Sequence, residues 1–129
     1  CGCSNAALTN VNPSTNTHMA CVLMDSSDTD VRFATNAAAT ATLSATGFGA
    51  TIGTGDVFEY RIFCPPAGTT IYMGFGRITP GTETWVEYST SSTLPTNTNF
   101  LAPQIWMNNG TTAAAVNVEV MKYYIESDF

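Results

Sequence analysis

Few side chains in this sequence are of the types that catalyse reactions, and their spacing does not assemble an active site. Cleavage of a glycosidic bond needs two carboxyl groups about 5–10 Å apart, one on each side of the bond. Glu83 and Glu87 are four residues apart, which on a regular strand separates them by about 13 Å. Glu59 could complete a pair from another strand, but nothing in the sequence selects it. With His18 as the one histidine and no Gly-x-Ser-x-Gly segment, a Ser-His-Asp triad is not supported. We therefore predict that the chain is not an enzyme.

The sequence does not predict a calcium or zinc site either. Asp25, Asp28 and Asp30 lie close together, and loop carboxylates are the oxygen ligands that Ca²⁺ takes. The segment lacks the Gly and Glu positions of an EF-hand loop, so we favour a polar β-turn there. Zinc needs several thiolate or imidazole ligands, whereas the chain has only His18 and one Cys-x-Cys pair. We expect no metal and no cofactor.

The cysteines leave several alternatives open. The chain begins with the letters CGCS and has no initiator Met, which predicts a processed product or a piece of a longer protein. A mature chain that starts at Cys is also typical of a bacterial lipoprotein, with the lipid on Cys1. Cys21 and Cys64 lie in apolar runs, where buried reduced thiols are the favoured interpretation. Four cysteines allow three full disulfide pairings, and the sequence does not choose among them.

Aromatic side chains are the candidate ligand contacts. A sugar ring can stack on a flat aromatic face while a neighbouring amide hydrogen-bonds to its hydroxyl groups. We name Trp85, Trp106, Tyr88 and Asn108 as candidate ligand-binding residues. Aromatic residues at alternating strand positions are more often core residues, because each buries about 150–250 Å². Burial in the core is therefore the competing interpretation for the three aromatic residues.

The composition excludes two classes of partner. Charged residues make up 11% of the sequence and the formal net charge is −6, against roughly 25% charged residues in typical proteins. So few basic residues give no electrostatic match to a phosphate backbone, and nucleic acid is not an expected partner. No apolar run approaches the roughly 18 residues that a membrane span needs. The length of 129 residues fits one domain.

Short runs of alternating apolar and polar residues, separated by turn residues, follow one another along the chain, and no long window has helical spacing. The predicted strands are residues 19–25, 31–35, 41–45, 57–63, 70–78, 83–89, 100–107 and 113–125. A tight turn is predicted at Asn108–Gly110. In the strand 57–63, the apolar face formed by Phe58, Tyr60 and Ile62 is expected to point into the core.

These strands predict an all-β fold, a two-sheet antiparallel β-sandwich of jelly-roll type, with a closed barrel as the alternative. In the strand 70–78, Gly74 and Gly76 share one face, which indicates a bend or a group packed close to the backbone. We place the sandwich domain at residues 19–129 and treat residues 1–18 as a connector or N-terminal extension.

From residue 25 onward, an ordered series of segments resembles a known family. The series is DSSDTDVRFATN (25–36), VFEYRIFCPPAGTTIYMGF (57–75), TLPTNTNFLAPQIWMNNGTTAAAV (93–116) and KYYIESDF (122–129). It resembles the terminal domain of tailed-bacteriophage tail fibres and tailspikes, a lectin-like β-sandwich of the concanavalin A-like kind. The resemblance carries no catalytic signature, no defined sugar-binding residues and no calcium-binding set.

The resemblance implies a structural and attachment module of the virion, at the tip of a tail fibre or tailspike. Its implied partners are its own copies, in a homotrimer, and glycan on the host surface. The implied location is the virion, outside the cell. The alternative function is a free-standing carbohydrate-binding module that is secreted or anchored to the cell surface by a lipid.

Overall fold

The computed structural model describes residues 1–6, 12–49, 55–107 and 117–126. The strands in chain order are β1 (Gly2–Ser4), β2 (Met19–Leu23), β3 (Asp30–Asn36), β4 (Thr42–Gly49), β5 (Val57–Phe63), β6 (Ile71–Thr79), β7 (Thr82–Thr90) and β8 (Ala102–Gln104). One turn of 3-10 helix, Pro13–Thr15, precedes β2. Within the described ranges there is no α-helix, and hence no helix long and apolar enough to cross a membrane.

The strands form two antiparallel sheets. One sheet has five strands in the order β4-β3-β2-β1-β8, and the other has three in the order β5-β6-β7. Neighbouring strands pair antiparallel in both sheets. A shared apolar core joins the two sheets face to face, so the predicted two-sheet β-sandwich is confirmed.

The core lies between the sheets. Its buried residues are Ala20, Val22, Phe33 and Phe48 from the five-stranded sheet and Ile71, Met73 and Phe75 from the three-stranded sheet. Phe33 stacks on Tyr88 of the opposite sheet, with ring centroids 5.4 Å apart. Phe48 meets Phe75 edge-on at 5.5 Å. Aromatic contacts of these two geometries are favourable beyond the area that they bury, and both of them connect one sheet to the other.

The predicted apolar face of β5 points toward this core. Tyr60 and Ile62 pack against the core cluster, and Phe58 stacks on Phe75 at 5.5 Å. Phe58 remains 36% exposed, because its partner across the ladder is Arg77 rather than an apolar residue.

Strand β2 is apolar on both of its faces. Ala20 and Val22 point into the core between the sheets, whereas Met19 and Leu23 belong to a second buried cluster, with Ala34, on the opposite face of the five-stranded sheet. A strand that is buried on both sides reads as a continuous apolar run rather than an alternation. This burial accounts for the MACVL sequence of β2.

The ends of the chain differ from the sequence predictions. Gly2–Ser4 lies between β2 and β8 in the five-stranded sheet, so this part of the predicted connector is a strand of the sandwich. Three residues are too few to show an alternating pattern. The strand predicted at 100–107 is confined to Ala102–Gln104.

The strand predicted at residues 113–125 is wrong for its described part. Residues 117–126 are not assigned to a strand and are exposed along their length. Alternating valines favour a pleated surface, but a strand also needs a neighbouring ladder to pair with. The turn predicted at Asn108–Gly110 lies outside the described residues.

The stability of the fold is expected to fall in alkaline solution. The pKa of the Cys21 thiol is raised to about 11, chiefly by burial. The charges of Cys3 and Asp25 act in the same direction, and the chain's amino terminus acts against them. Burial also raises the pKa of Tyr60, whose hydroxyl donates to the carbonyl oxygen of Ala20 at 3.5 Å. Above pH 9 the unfolded chain releases the Cys21 proton while the native protein keeps it, so stability falls with rising pH.

We expect Cys21 alone to lower the free energy of unfolding by about 2 kcal/mol between pH 9 and pH 11. Urea unfolding at several pH values measures this change. Cys21→Ala should reduce the slope that begins near pH 9, to which Cys3 also contributes, and Tyr60→Phe should remove the part that begins near pH 10. A free energy of unfolding that stays constant from pH 8 to pH 11 would contradict the assignment.

Candidate functional site

The strongest candidate site is the side of the three-stranded sheet that points away from the core, called here the outer face. Strand pairing places twelve residues on it: Val57, Glu59, Arg61 and Phe63 of β5, Tyr72, Gly74, Gly76 and Ile78 of β6, and Glu83, Trp85, Glu87 and Ser89 of β7. The register depends on the two-residue turn Pro80–Gly81 between β6 and β7. Proline fixes its own φ, and the glycine adopts a φ of 86°.

Trp85 lies across the middle of the outer face, directly over the backbone of β6. A Cβ atom added to Gly74 would be 2.3 Å from the indole Cζ2, and one added to Gly76 would be 2.3 Å from Cε3. Only glycine at both positions lets the ring lie flat on the strand. The group that was predicted to pack close to the glycines of β6 is therefore the Trp85 indole.

A charged side chain covers the other side of the indole. The Arg61 guanidinium carbon lies over the ring, 4.6 Å from its centroid, which is the geometry of a cation–π contact. Arg61 Nε also donates to Glu59 Oε1 at 2.7 Å. The indole N–H donates to Glu87 Oε1 at 3.4 Å. Arg61 and the two glutamates thus surround the indole with hydrogen-bonding groups.

The outer face carries more negative than positive charge. Its ionisable side chains are the carboxylates of Glu59, Glu83 and Glu87 and the guanidinium of Arg61. The hydrogen bond with Glu59 and the charges of all three glutamates raise the pKa of Arg61. The guanidinium is therefore held in its charged form by the carboxylates that surround it.

Apolar side chains lie at both ends of the outer face. Phe63 and Tyr72 form an exposed pair at one end, with ring centroids 6.3 Å apart. Val57 and Ile78 pair across the ladder at the other end and are partly exposed. Trp85, half-buried between them, completes an apolar stripe along the sheet.

The three described residues among the four predicted ligand-binding residues do not come together. Tyr88 points into the core, where it stacks on Phe33, so the structure places it away from any surface site. Trp106 follows β8 and lines an open depression of about 590 Å³ with Phe100 and Gln104. Asn108 lies outside the described residues. Of the three that the structure describes, only Trp85 belongs to the outer face.

Arg61, Glu59 and Glu87 were missed by the sequence analysis as parts of a binding surface. The Pro-Gly turn could have identified these residues from the sequence, because a two-residue hairpin loop fixes which residues lie opposite one another. That register places Trp85 opposite Gly76. Extending it to β5 brings Glu59 into the same row.

The aspartates between β2 and β3 bind nearby backbone N–H groups and an arginine side chain. Asp25 accepts from the backbone N–H of Ser14 at 3.0 Å, and Asp28 accepts from the N–H of Asp25 at 3.0 Å. Asp28 also pairs with Arg32 at 3.1 Å. These contacts fit the polar turn that the sequence favoured. Across the ranges that the structure describes, no group of three His, Cys, Asp or Glu side chains could hold a metal ion.

The four cysteines are free thiols in this structure. Cys1 and Cys64 are exposed, and Cys3 and Cys21 are partly buried. Burial raises the pKa of Cys3 as well as that of Cys21, so both thiols keep their protons at neutral pH and are weak nucleophiles.

Comparison with known proteins gave no matching family model, no matching curated protein and no matching solved structure.

Substituting Gly76 tests the packing of the indole. We expect Gly76→Ala to lift the Trp85 ring off β6 and to lower the free energy of unfolding by about 1–3 kcal/mol, because the added methyl group overlaps the ring. Tryptophan fluorescence in a Trp106→Phe background should shift to longer wavelength as Trp85 gains contact with water. Gly49→Ala is the matched control, since its nearest neighbour would be 3.9 Å away. An unshifted emission spectrum would contradict this packing.

Proposed function

We propose that this chain is an attachment module that binds glycan through the outer face, and that it forms the terminal domain of a phage tail fibre or tailspike. The observation that carries the binding proposal is the Trp85 indole, which lies flat on an exposed sheet surface among charged and hydrogen-bonding side chains. The sequence resemblance supports the virion location.

The chemistry of the outer face fits a sugar ring. A pyranose has an apolar C–H face that stacks on an aromatic ring, and hydroxyl groups at its edge that need hydrogen-bond partners. Trp85 provides the ring, Glu87 accepts from its indole N–H, and Glu59 accepts from Arg61 beside it. Hydrogen bonds to ionised carboxylates are among the stronger ones. The outer face therefore offers both kinds of contact.

Access to the indole requires that Arg61 move. Its side chain is 66% exposed, and its ion pair with Glu59 is exposed as well, so solvent screens that pair and it contributes little to stability. A ligand can therefore displace the guanidinium at small cost.

Self-association is supported by a second surface. The segment 117–126 exposes a set of large apolar side chains: Val118, Val120, Met121, Tyr123, Tyr124 and Ile125. Large apolar side chains that are exposed together in one segment are typical of a protein–protein contact. We propose that this segment packs between copies of the chain in a homotrimer.

Removing the indole tests the glycan-binding proposal. A glycan array identifies ligands of the wild-type protein, and titration calorimetry then measures their affinity. We expect Trp85→Ala to weaken binding about two- to thirteenfold, because stacking on the ring contributes about 0.5–1.5 kcal/mol. Trp106→Ala, in the separate depression beside β8, is the control and should bind as the wild type does. Equal affinity of Trp85→Ala and the wild type would overturn the assignment.

The mass of the protein in solution distinguishes a virion tip domain from a free-standing carbohydrate-binding module. Light scattering on the chain in reducing buffer should give the mass of three copies if it is a virion tip domain. A monomer would instead favour the free-standing or lipid-anchored carbohydrate-binding module, which would use the same outer face.

A further inference from the structure

We infer that the outer face selects amino sugars, whose ring carries a positively charged ammonium group, over neutral and acidic sugars. This inference rests on the proposed glycan-binding function and names the class of sugar for that site. It is carried by the juxtaposition of the Trp85 indole, the Arg61 guanidinium above it and three glutamates on the same face.

The position above the indole is built for a cation. The Arg61 guanidinium occupies it at 4.6 Å from the ring centroid, while Glu59 accepts its hydrogen bond at 2.7 Å. An aromatic face attracts a cation through its quadrupole, and tryptophan does so more strongly than tyrosine or phenylalanine. In the free protein Arg61 therefore occupies a position over the indole that an external cation could also occupy.

Charge complementarity identifies what replaces Arg61. When its guanidinium moves aside, Glu59, Glu83 and Glu87 are left without the cation that acts on all three. An ammonium group on the incoming sugar restores that partner, whereas a sugar carboxylate adds a fourth negative charge. Like charges brought together on one face are repulsive. An amino sugar is thus favoured over an uronic acid of the same size.

The shape of the outer face favours a sugar chain over a basic peptide. The exposed pairs Phe63–Tyr72 and Val57–Ile78 continue the apolar stripe on both sides of Trp85, along a seven-residue strand about 20 Å long. Successive sugar rings present their C–H faces to such a stripe, while their amino groups reach the glutamates at its edges. A lysine side chain supplies the charge without that flat apolar contact.

Arg61 acts in this scheme as an internal competitor. Removing it with Arg61→Ala leaves the indole face and the carboxylates in place, and we expect affinity for an amino sugar to rise about two- to fivefold. Glu87→Gln keeps a hydrogen-bond acceptor beside the indole but removes its charge. That variant should weaken binding of the amino sugar more than binding of its neutral counterpart, because the neutral sugar loses only the charge assistance of a hydrogen bond.

The test compares sugars of equal length that differ in charge. Titration calorimetry at pH 6 is performed with tetramers of glucosamine, of N-acetylglucosamine and of galacturonic acid, and with tetralysine as the peptide cation. We expect the glucosamine tetramer to bind at least tenfold more tightly than the N-acetylated tetramer, and the galacturonic acid tetramer not to bind. Trp85→Ala should weaken binding of the glucosamine tetramer more than binding of the N-acetylated tetramer, because it removes the cation–π contact as well as the stacking contact. Thermal unfolding of each variant checks that it is folded.

The outcomes separate this inference from the function on which it rests. If the N-acetylated and free tetramers bind equally through Trp85, the selection of amino sugars is overturned while glycan binding stands. If the array and all three sugars give no binding, the proposed function fails and the inference fails with it. If tetralysine binds as tightly as the glucosamine tetramer, the outer face recognises a basic peptide and the sugar assignment is overturned.

Discussion

Replacing Phe33 with Ala is expected to lower the free energy of unfolding by about 3–5 kcal/mol. Phe33 is 1% exposed and belongs to the core between the two sheets. Its ring stacks on Tyr88 at 5.4 Å, with the ring planes 12° apart. Truncation removes the buried surface of the ring and leaves a cavity between sheets that cannot collapse independently of their backbone ladders.

Urea unfolding, followed by circular dichroism, measures this loss. Phe58→Ala is the matched control, because Phe58 also stacks on a core ring but is 36% exposed. Its truncation removes less buried surface and should cost about 1–2 kcal/mol. If both variants lower the free energy of unfolding equally, Phe33 is no more deeply packed in the core than Phe58. A loss below about 1 kcal/mol for Phe33→Ala would mean that the two sheets do not pack through this residue.

Much of the fold could be predicted from the sequence because strands with one buried face alternate with a period of two. The segments predicted at 57–63 and 83–89 correspond to β5 and to β7 (Thr82–Thr90), and each lies between strong turn residues. The apolar face of β5 followed from the same alternation. Strand β1 could not be predicted, because the three residues Gly2–Ser4 contain too little pattern and form a strand only between two longer-range partners.

The candidate site could be predicted only in part, because it depends on register between strands. Trp85 and Tyr88 are three residues apart on β7, so they point to opposite sides of the sheet and only one of them can line the outer face. The sequence did not indicate which side faced the core. The core side of β7 is the Tyr88 side, because Phe33 of the other sheet stacks on Tyr88. Arg61 approaches Trp85 from β5, across the intervening β6.

The buried ion pair at the end of the three-stranded sheet is expected to be the other large contribution to stability. The Asp56 side chain is 1% exposed, and its carboxylate accepts from Arg77 Nε at 2.8 Å and from the Thr79 hydroxyl at 2.7 Å. Arg77 lies on the core side of β6 beside Phe58. The pair therefore links the residue before β5 to the end of β6 through hydrogen bonds to a charged acceptor, the stronger kind.

We expect Asp56→Ala to lower the free energy of unfolding by about 3 kcal/mol, because it leaves the Arg77 guanidinium partly buried without this carboxylate. The double variant Asp56→Ala/Arg77→Met removes the stranded charge along with its partner. Its loss in the free energy of unfolding should be smaller than the sum of the losses of the two single variants. The reason is that an apolar side chain is tolerated beside Phe58, whereas an unpaired cation is not. Urea unfolding of all four proteins gives the coupling energy. Strictly additive losses would show that the two side chains stabilise the sheet independently, and that the end of the sandwich is held by packing alone.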